Sequence, residues 1–170
     1  KVSVSYTGSY PGANLAVLSA LDAMDVSAVI ISSCGSSEYG STYPEFTWID
    51  MESHLSNSKL FSNSSTLASI GGGFDMGIQL GTQGKKVCES SIYKNKIILL
   101  NEDNAADNIQ KRMDHYDKGA DETALFINVG GGIFSIGDSL QRSITPSGII
   151  YPGDIPGNSQ GTVIERFLDM

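Results

Sequence analysis

The stretch VSVSYTGSYPGANLAVLSALDAMDVSAVII, residues 2–31, decides the fold class. Val2, Val4 and Tyr6 alternate with Ser3 and Ser5, the period of a half-buried strand. Turn formers follow from Thr7 through Gly8, Ser9, Tyr10, Pro11 and Gly12. Over residues 13–24, Leu15, Leu18 and Leu21 with Ala16, Ala20 and Ala23 recur at three- and four-residue steps, the helical period. Residues 26–31 are again apolar and mostly β-branched. Strand, helix and strand within about thirty residues make the unit of a parallel crossover. They predict an α/β chain, Rossmann-like and three-layered, on a mainly parallel sheet of four to five strands.

Residues 32–43, SSCGSSEYGSTY, form a polar loop longer than most strand-to-helix connections. Pro44 suits the first turn of a helix over residues 45–56, with Phe46, Trp48, Ile49 and Leu55 as its apolar positions. Residues 64–70 read as a short helix, broken by Gly71, Gly72 and Gly73 and resumed over 74–80. A helix over 85–94 precedes a strand at 97–100. In residues 101–118, Glu102, Asp103 and Asp107 lead and Lys111, Arg112 and Lys118 close, an order that complements a helix dipole, with Ile109, Met113 and Tyr116 on the buried face. Residues 123–129, almost continuously apolar, predict a strand covered on both faces. The tail 145–161 reads as irregular with a short strand at 148–151, and 162–170 reads as a helix. No repeat or linker divides residues 1–170, so one domain is expected, truncated at its N-terminus and open to the same reading at its C-terminus.

At 170 residues and 40% hydrophobic content, the chain can bury a core without metal or disulfide support, and Cys34 and Cys88 are too few for a disulfide framework. Eleven basic against nineteen acidic residues give a net charge of -8, with the basic residues scattered. That excludes nucleic acid as a partner, because backbone binding needs clustered Lys and Arg. It also speaks against contact of this chain itself with an anionic membrane. No run approaches the roughly 20 apolar residues of a membrane span.

Gly- and Ser-rich turns follow several strands, and in an open parallel sheet these lie at the carboxyl edge, where ligands bind at the switch in strand order. Small residues there let backbone amides approach an anion. The plain alternative is that Gly and Ser are common at such turns. The nucleotide signatures fail. Gly84-Lys85 lacks the earlier glycine, which is Gln79, and Lys86 replaces the magnesium-binding hydroxyl. Gly130-x-Gly132-x-x-Ser135 comes late and ends in serine. Gly137-Asp138-Ser139-Leu140 spells the GDSL hydrolase signature, yet no histidine follows His115 to activate Ser139. Asp50, Glu52 and His54 begin a metal set that nothing completes, and read as a solvated helix face, as does His115 between acidic neighbours. Cys34 reads as a small buried residue or as a thiolate at a helix start. No cofactor and no metal are expected.

Three ordered stretches carry a family resemblance: Thr7-Gly-Ser-Tyr-Pro-Gly-Ala-Asn14-Leu-Ala-Val-Leu; Ile30-Ile-Ser-Ser-Cys-Gly-Ser-Ser-Glu-Tyr-Gly40 leading to Phe46-Thr-Trp-Ile-Asp-Met-Glu52; and Phe126-Ile-Asn-Val-Gly-Gly-Gly132. Together they resemble the poly-gamma-glutamate system protein family, bacterial proteins associated with capsule synthesis or export. The resemblance implies an accessory role beside membrane-bound synthesis components, with an N-terminal hydrophobic anchor outside this sequence and a location facing outside the cytoplasm. It also implies site-forming positions at Gly8, Ser9, Asn14, Ser33, Ser36, Glu38, Trp48, Asp50, Glu52, Asn128, Gly130, Gly131 and Gly132, with no catalytic roles. Three functions follow as expectations. The first is a binding component recognising a small anionic group such as a glutamyl unit or phosphate. The second is a hydrolase or transferase acting on an amide or phosphoryl bond, with Ser36, Ser37 or Cys34 as nucleophile and Asp50 or Glu52 as acid or base. The third is an interaction domain with an apolar patch at Phe46 and Trp48.

Overall fold

A computed structural model describes residues 1–37, 40, 42–118, 122–155 and 161–170. Five strands, β1 (Val2–Thr7), β2 (Ala28–Ser33), β3 (Ser65–Ser69), β4 (Ile98–Leu100) and β5 (Leu125–Asn128), form one sheet in the order β4-β3-β2-β1-β5. Every pairing is parallel. Helices α1 (Pro11–Ala23), α2 (Trp48–Asn57) and α3 (Gly81–Lys94) cover one face. Helices α4 (Ala105–Tyr116), α5 (Ile133–Ile136) and α7 (Val163–Leu168) cover the other, and α6 (Ser139–Ile144) lies between α5 and α7 in sequence. The chain is therefore a three-layer α/β domain of Rossmann-like type.

Strand alternation sorts side chains between the two cores. Val4, Tyr6 and Ile30 face α1–α3 with Leu18, Trp48, Ile49 and Ile92. Ile31 and Leu67 face α4 with Ile109, Met113 and Tyr116, joined by Phe134 and Val163. Tyr116, Phe126 and Phe167 lock β5 and α7 together, Phe126 and Phe167 stacking at 4.4 Å.

Several elements differ from the sequence reading. Residues 65–69 are a strand, not a helix. The register shifts between Ile30 and Ile31, so that Ile30 pairs with Ser65 but Ile31 with Leu67. Consecutive Thr66 and Leu67 then both face α4: Thr66 Oγ1 meets His115 Nε2 at 2.7 Å and Leu67 joins the α4 core. A bulge of this kind erases the two-residue period. Residues 73–75 and 78–80 are single 3-10 turns. Helix α2 begins at Trp48, because Thr47 and Asp50 close a reciprocal capping box, leaving Pro44 outside it. Strand β5 is the sheet edge, with Leu125 53% exposed, yet both its faces are covered: Ile127 packs against the α1–α3 core and Phe126 against the α4 core. Residues 148–151 form no strand. Asp50, Glu52 and His115 are buried rather than solvated as expected, whereas His54 is exposed.

Candidate functional site

Strand order reverses at β1, which has β2 on one side and β5 on the other. The chain leaving β1 enters α1 on one face, whereas the chain leaving β5 enters α5 on the opposite face. The carboxyl ends of β1 and β5 thus border the crevice in which open parallel sheets bind ligands.

Backbone packing fixes these loops. Gly8 donates its N–H to the Ser33 carbonyl at 2.9 Å, and a Cβ there would stand 2.5 Å from the Cys34 carbonyl oxygen. Gly130, at φ +99°, lies so close to Thr7 that a Cβ would meet Thr7 Cγ2 at 2.3 Å. Gly131 and Gly132 are exposed and lack such a clash. Asn128 Nδ2 donates to the Gly130 carbonyl at 2.7 Å, and Gly132 caps α5 through its carbonyl. On the other side Ser9 Oγ accepts from Ser37 N at 3.0 Å and from Ser37 Oγ at 3.2 Å. Asn14 ties the first turn of α1 back to β1, Nδ2 donating to the Thr7 carbonyl at 2.8 Å, while its buried Oδ1 has no partner. Gly8, Ser9, Asn14, Ser33, Ser36, Asn128 and Gly130 to Gly132 therefore border one edge. Glu38 lies outside the described residues.

The two expected carboxylates do not join them. Asp50 turns to α3, accepting from Lys94 Nζ at 2.9 Å and Asn95 Nδ2 at 2.7 Å. Burial works to raise its pKa, but hydrogen bonds from Lys94, Asn95, Thr47 and Ser91 outweigh that and hold it below the usual carboxylate value. Asp50 also lines an open groove of about 410 Å³ with Lys86 and Lys94, between the approach to α2 and α3. Glu52 is 1% exposed, and its Oε2 accepts the backbone N–H of Ser65, the first residue of β3, at 3.1 Å. Its Oε1 and the nearby Tyr6 hydroxyl are both buried without partners. Burial pushes the Glu52 carboxyl up to about 7, against hydrogen bonds from Ser65 that lower it, and burial with the Glu52 charge raises the Tyr6 phenol. Trp48 is fully buried, its Nε1 donating to Ser32 Oγ at 3.2 Å and its ring meeting Tyr6 edge-on at 5.8 Å.

These placements weigh on the catalytic expectation. A hydrogen bond shared with Cys88, then burial, holds the Cys34 thiol far above its ordinary pKa, the wrong direction for a nucleophile. Ser37 Oγ bonds Ser9, not Asp50 or Glu52. The apolar patch also dissolves: Phe46 is exposed but Trp48 is core.

The charged centre of the carboxyl edge includes residues not anticipated from sequence. Arg112, in the middle of α4, is 2% exposed. Its Nε donates to Asn108 Oδ1 at 2.8 Å, and Nη2 donates to Ser69 Oγ at 3.1 Å and to the Asp75 carboxylate. Asp75 Oδ1 accepts from Ser69 Oγ at 2.8 Å and from Ser33 Oγ at 3.5 Å, and the two hydroxyls meet at 3.0 Å. The signal in the sequence was the stripe Asn108, Ile109, Arg112, Met113 and Tyr116: Arg112 falls among the apolar positions of α4. Asp75 arrives on a loop in which Gly71, Gly72, Phe74, Asp75 and Gly77 all have positive φ. For Phe74 and Asp75 that conformation costs of order 1–3 kcal/mol each.

Among the described residues no group of three or more metal-ligating side chains converges, and no helix is long and apolar enough to cross a membrane. In comparison with known proteins, no family model, curated protein or solved structure matches this chain.

Proposed function

We propose that this domain is a binding component that recognises a small anionic group at the carboxyl edge of its sheet, serving as an accessory part of a bacterial poly-gamma-glutamate synthesis or export system. Its partners in that role are the membrane-bound synthesis components. The observation that carries the binding reading is the reversal of strand order at β1, with Gly8, Ser9, Asn14 and Gly130 bordering it. The polymer system is carried by the resemblance of the three quoted stretches. At a net charge of -8, recognition relies on local amides, hydroxyls and a seated cation, because the long-range field repels anions.

The test is thermal unfolding with L- and D-glutamate, short gamma-linked glutamyl peptides, phosphate, nucleotides and divalent metals. A ligand at 100 times its dissociation constant adds about 2.7 kcal/mol of stability, enough to raise the melting temperature visibly. Glutamyl ligands are expected to do so, and Ser9→Ala to weaken the shift while melting normally without ligand. If nothing in the panel moves the transition, the binding reading is wrong.

A further inference from the structure

A buried guanidinium needs an anion, and what supplies it here is unusual. The seat is built from regular elements: Arg112 on α4, Ser33 at the end of β2 and Ser69 at the end of β3. The carboxylate in the seat comes from an irregular loop. Residues 71–77 leave β3, reach α5 through the 3-10 turn at 73–75, and insert Asp75 by holding it and Phe74 at φ +59° and +52°. Phe74 is 56% exposed, so little packing compensates for its conformation.

We propose that Arg112, Ser69 and Ser33 form a carboxylate-binding site which Asp75 fills in the absence of ligand, and that a ligand carboxylate displaces Asp75 and releases the 71–77 loop. The seat fits a carboxylate: one oxygen of Asp75 takes the guanidinium, and the other accepts from the Ser69 hydroxyl at 2.8 Å with the Ser33 hydroxyl beside it at 3.5 Å. Exchange of one carboxylate for another keeps Arg112 paired in both states, so neither state buries a lone charge. Asp75 then moves to water, where it needs no partner. A ligand shifts such an equilibrium only by its preference for one state, and relaxation of Phe74 and Asp75 from left-handed backbone favours the liganded one. A dianionic phosphate brings a second charge that this seat, with one guanidinium and two hydroxyls, leaves unmatched.

The inference deepens the proposed function and rests on its assignment of the carboxyl edge as a ligand site. Titration calorimetry with sodium acetate and with L-glutamate on the 170-residue chain tests it. A tethered carboxylate competes at millimolar or higher effective concentration, so Asp75→Asn is expected to bind acetate about tenfold more tightly than the parent. Phe74→Gly, which accepts the left-handed conformation freely, is expected to hold the loop shut and weaken binding several-fold. The double variant Asp75→Asn with Arg112→Gln is expected to bind no acetate. Equal acetate affinity in the parent, Asp75→Asn and Phe74→Gly, or no acetate binding by any of them, overturns the proposal. If Asp75→Asn does not fold, Phe74→Gly decides alone by the same criterion. Glutamate binding that is lost in Ser9→Ala but indifferent to Asp75 and Phe74 also overturns it, while leaving the wider edge reading intact. Acetate binding that responds as expected, with no response to glutamate, supports the seat and counts against the glutamyl assignment of the proposed function.

Discussion

Glu52 is the residue whose environment has the clearest consequence for the protein in solution. It is buried against Ser65 and Tyr6 with one oxygen unpaired, and its carboxyl is pushed up to about 7. A raised pKa means that the folded state binds the proton more tightly than the unfolded chain does. The stabilising contribution is complete below the unfolded value near 4.5 and is lost as pH rises to about 7. The loss is on the order of 3 kcal/mol, from 1.36 kcal/mol per pKa unit. Glu52→Gln mimics the protonated form, so its stability relative to the parent is expected to grow by that order between pH 4.5 and pH 7.5. Comparing the two proteins matters, because His115 works with the opposite sign in an overlapping range. Burial and then Lys118 lower its pKa, so its contribution is whole above 6.5 and is lost as pH falls below that value. Asp50, also lowered, acts only below 3.8. Urea unfolding at several pH values gives the difference, and a gap independent of pH would refute the assignment of the buried acid.

At the scale of elements, caps and bulges decide what a periodic pattern leaves open. Thr47 stops the loop before α2: its Oγ1 bonds Asp50 N and Asp50 Oδ2, and meets Ser91 Oγ of α3 at 2.7 Å. Thr47→Ala removes a cap and one of the two partners of the buried Ser91 hydroxyl, so a loss of about 1–2 kcal/mol is expected from the urea midpoint. Thr47→Ser is expected to stay within about 0.5 kcal/mol, and equal losses for both would mean that the methyl group, not the cap, carries the effect. The crossover from β1 to β2 was legible because Val2 to Tyr6 alternate and α1 keeps its leucine spacing. Strand β3 was not, because the bulge turns Thr66 and Leu67 to the same face and serine fills the positions where a core residue would mark the period. The glycines at 8 and 130 were legible as turn formers, but their role as points of backbone contact is a tertiary fact. Arg112 was hidden for a related reason: the charge order of residues 101–118 accounts for a basic residue in the second half of α4, and only the apolar stripe on either side shows that this one points inward.

For the whole molecule, charge and architecture pull in opposite directions. The seat around Arg112 holds a carboxylate, while the chain as a whole carries nineteen acidic residues against eleven basic ones and so repels anions at long range. Long-range repulsion slows encounter, and the contacts made after docking act within a few ångströms and are screened far less. The Debye length falls from about 30 Å at 0.01 M salt to about 10 Å at 0.1 M, so exposed charges farther away than that are largely screened at the higher concentration. Association of a gamma-linked glutamyl peptide is therefore expected to accelerate as salt rises over that range, with dissociation changing little. A charge-steered site behaves in the reverse way, its association rate falling with salt. Stopped-flow rates at four or five salt concentrations separate the cases. A rising association rate fits recognition by the local seat against an unfavourable field. A falling one would mean that a cationic surface, not the seat at the carboxyl edge, governs encounter, and the binding face would then be sought along the Lys86 and Lys94 groove against α3.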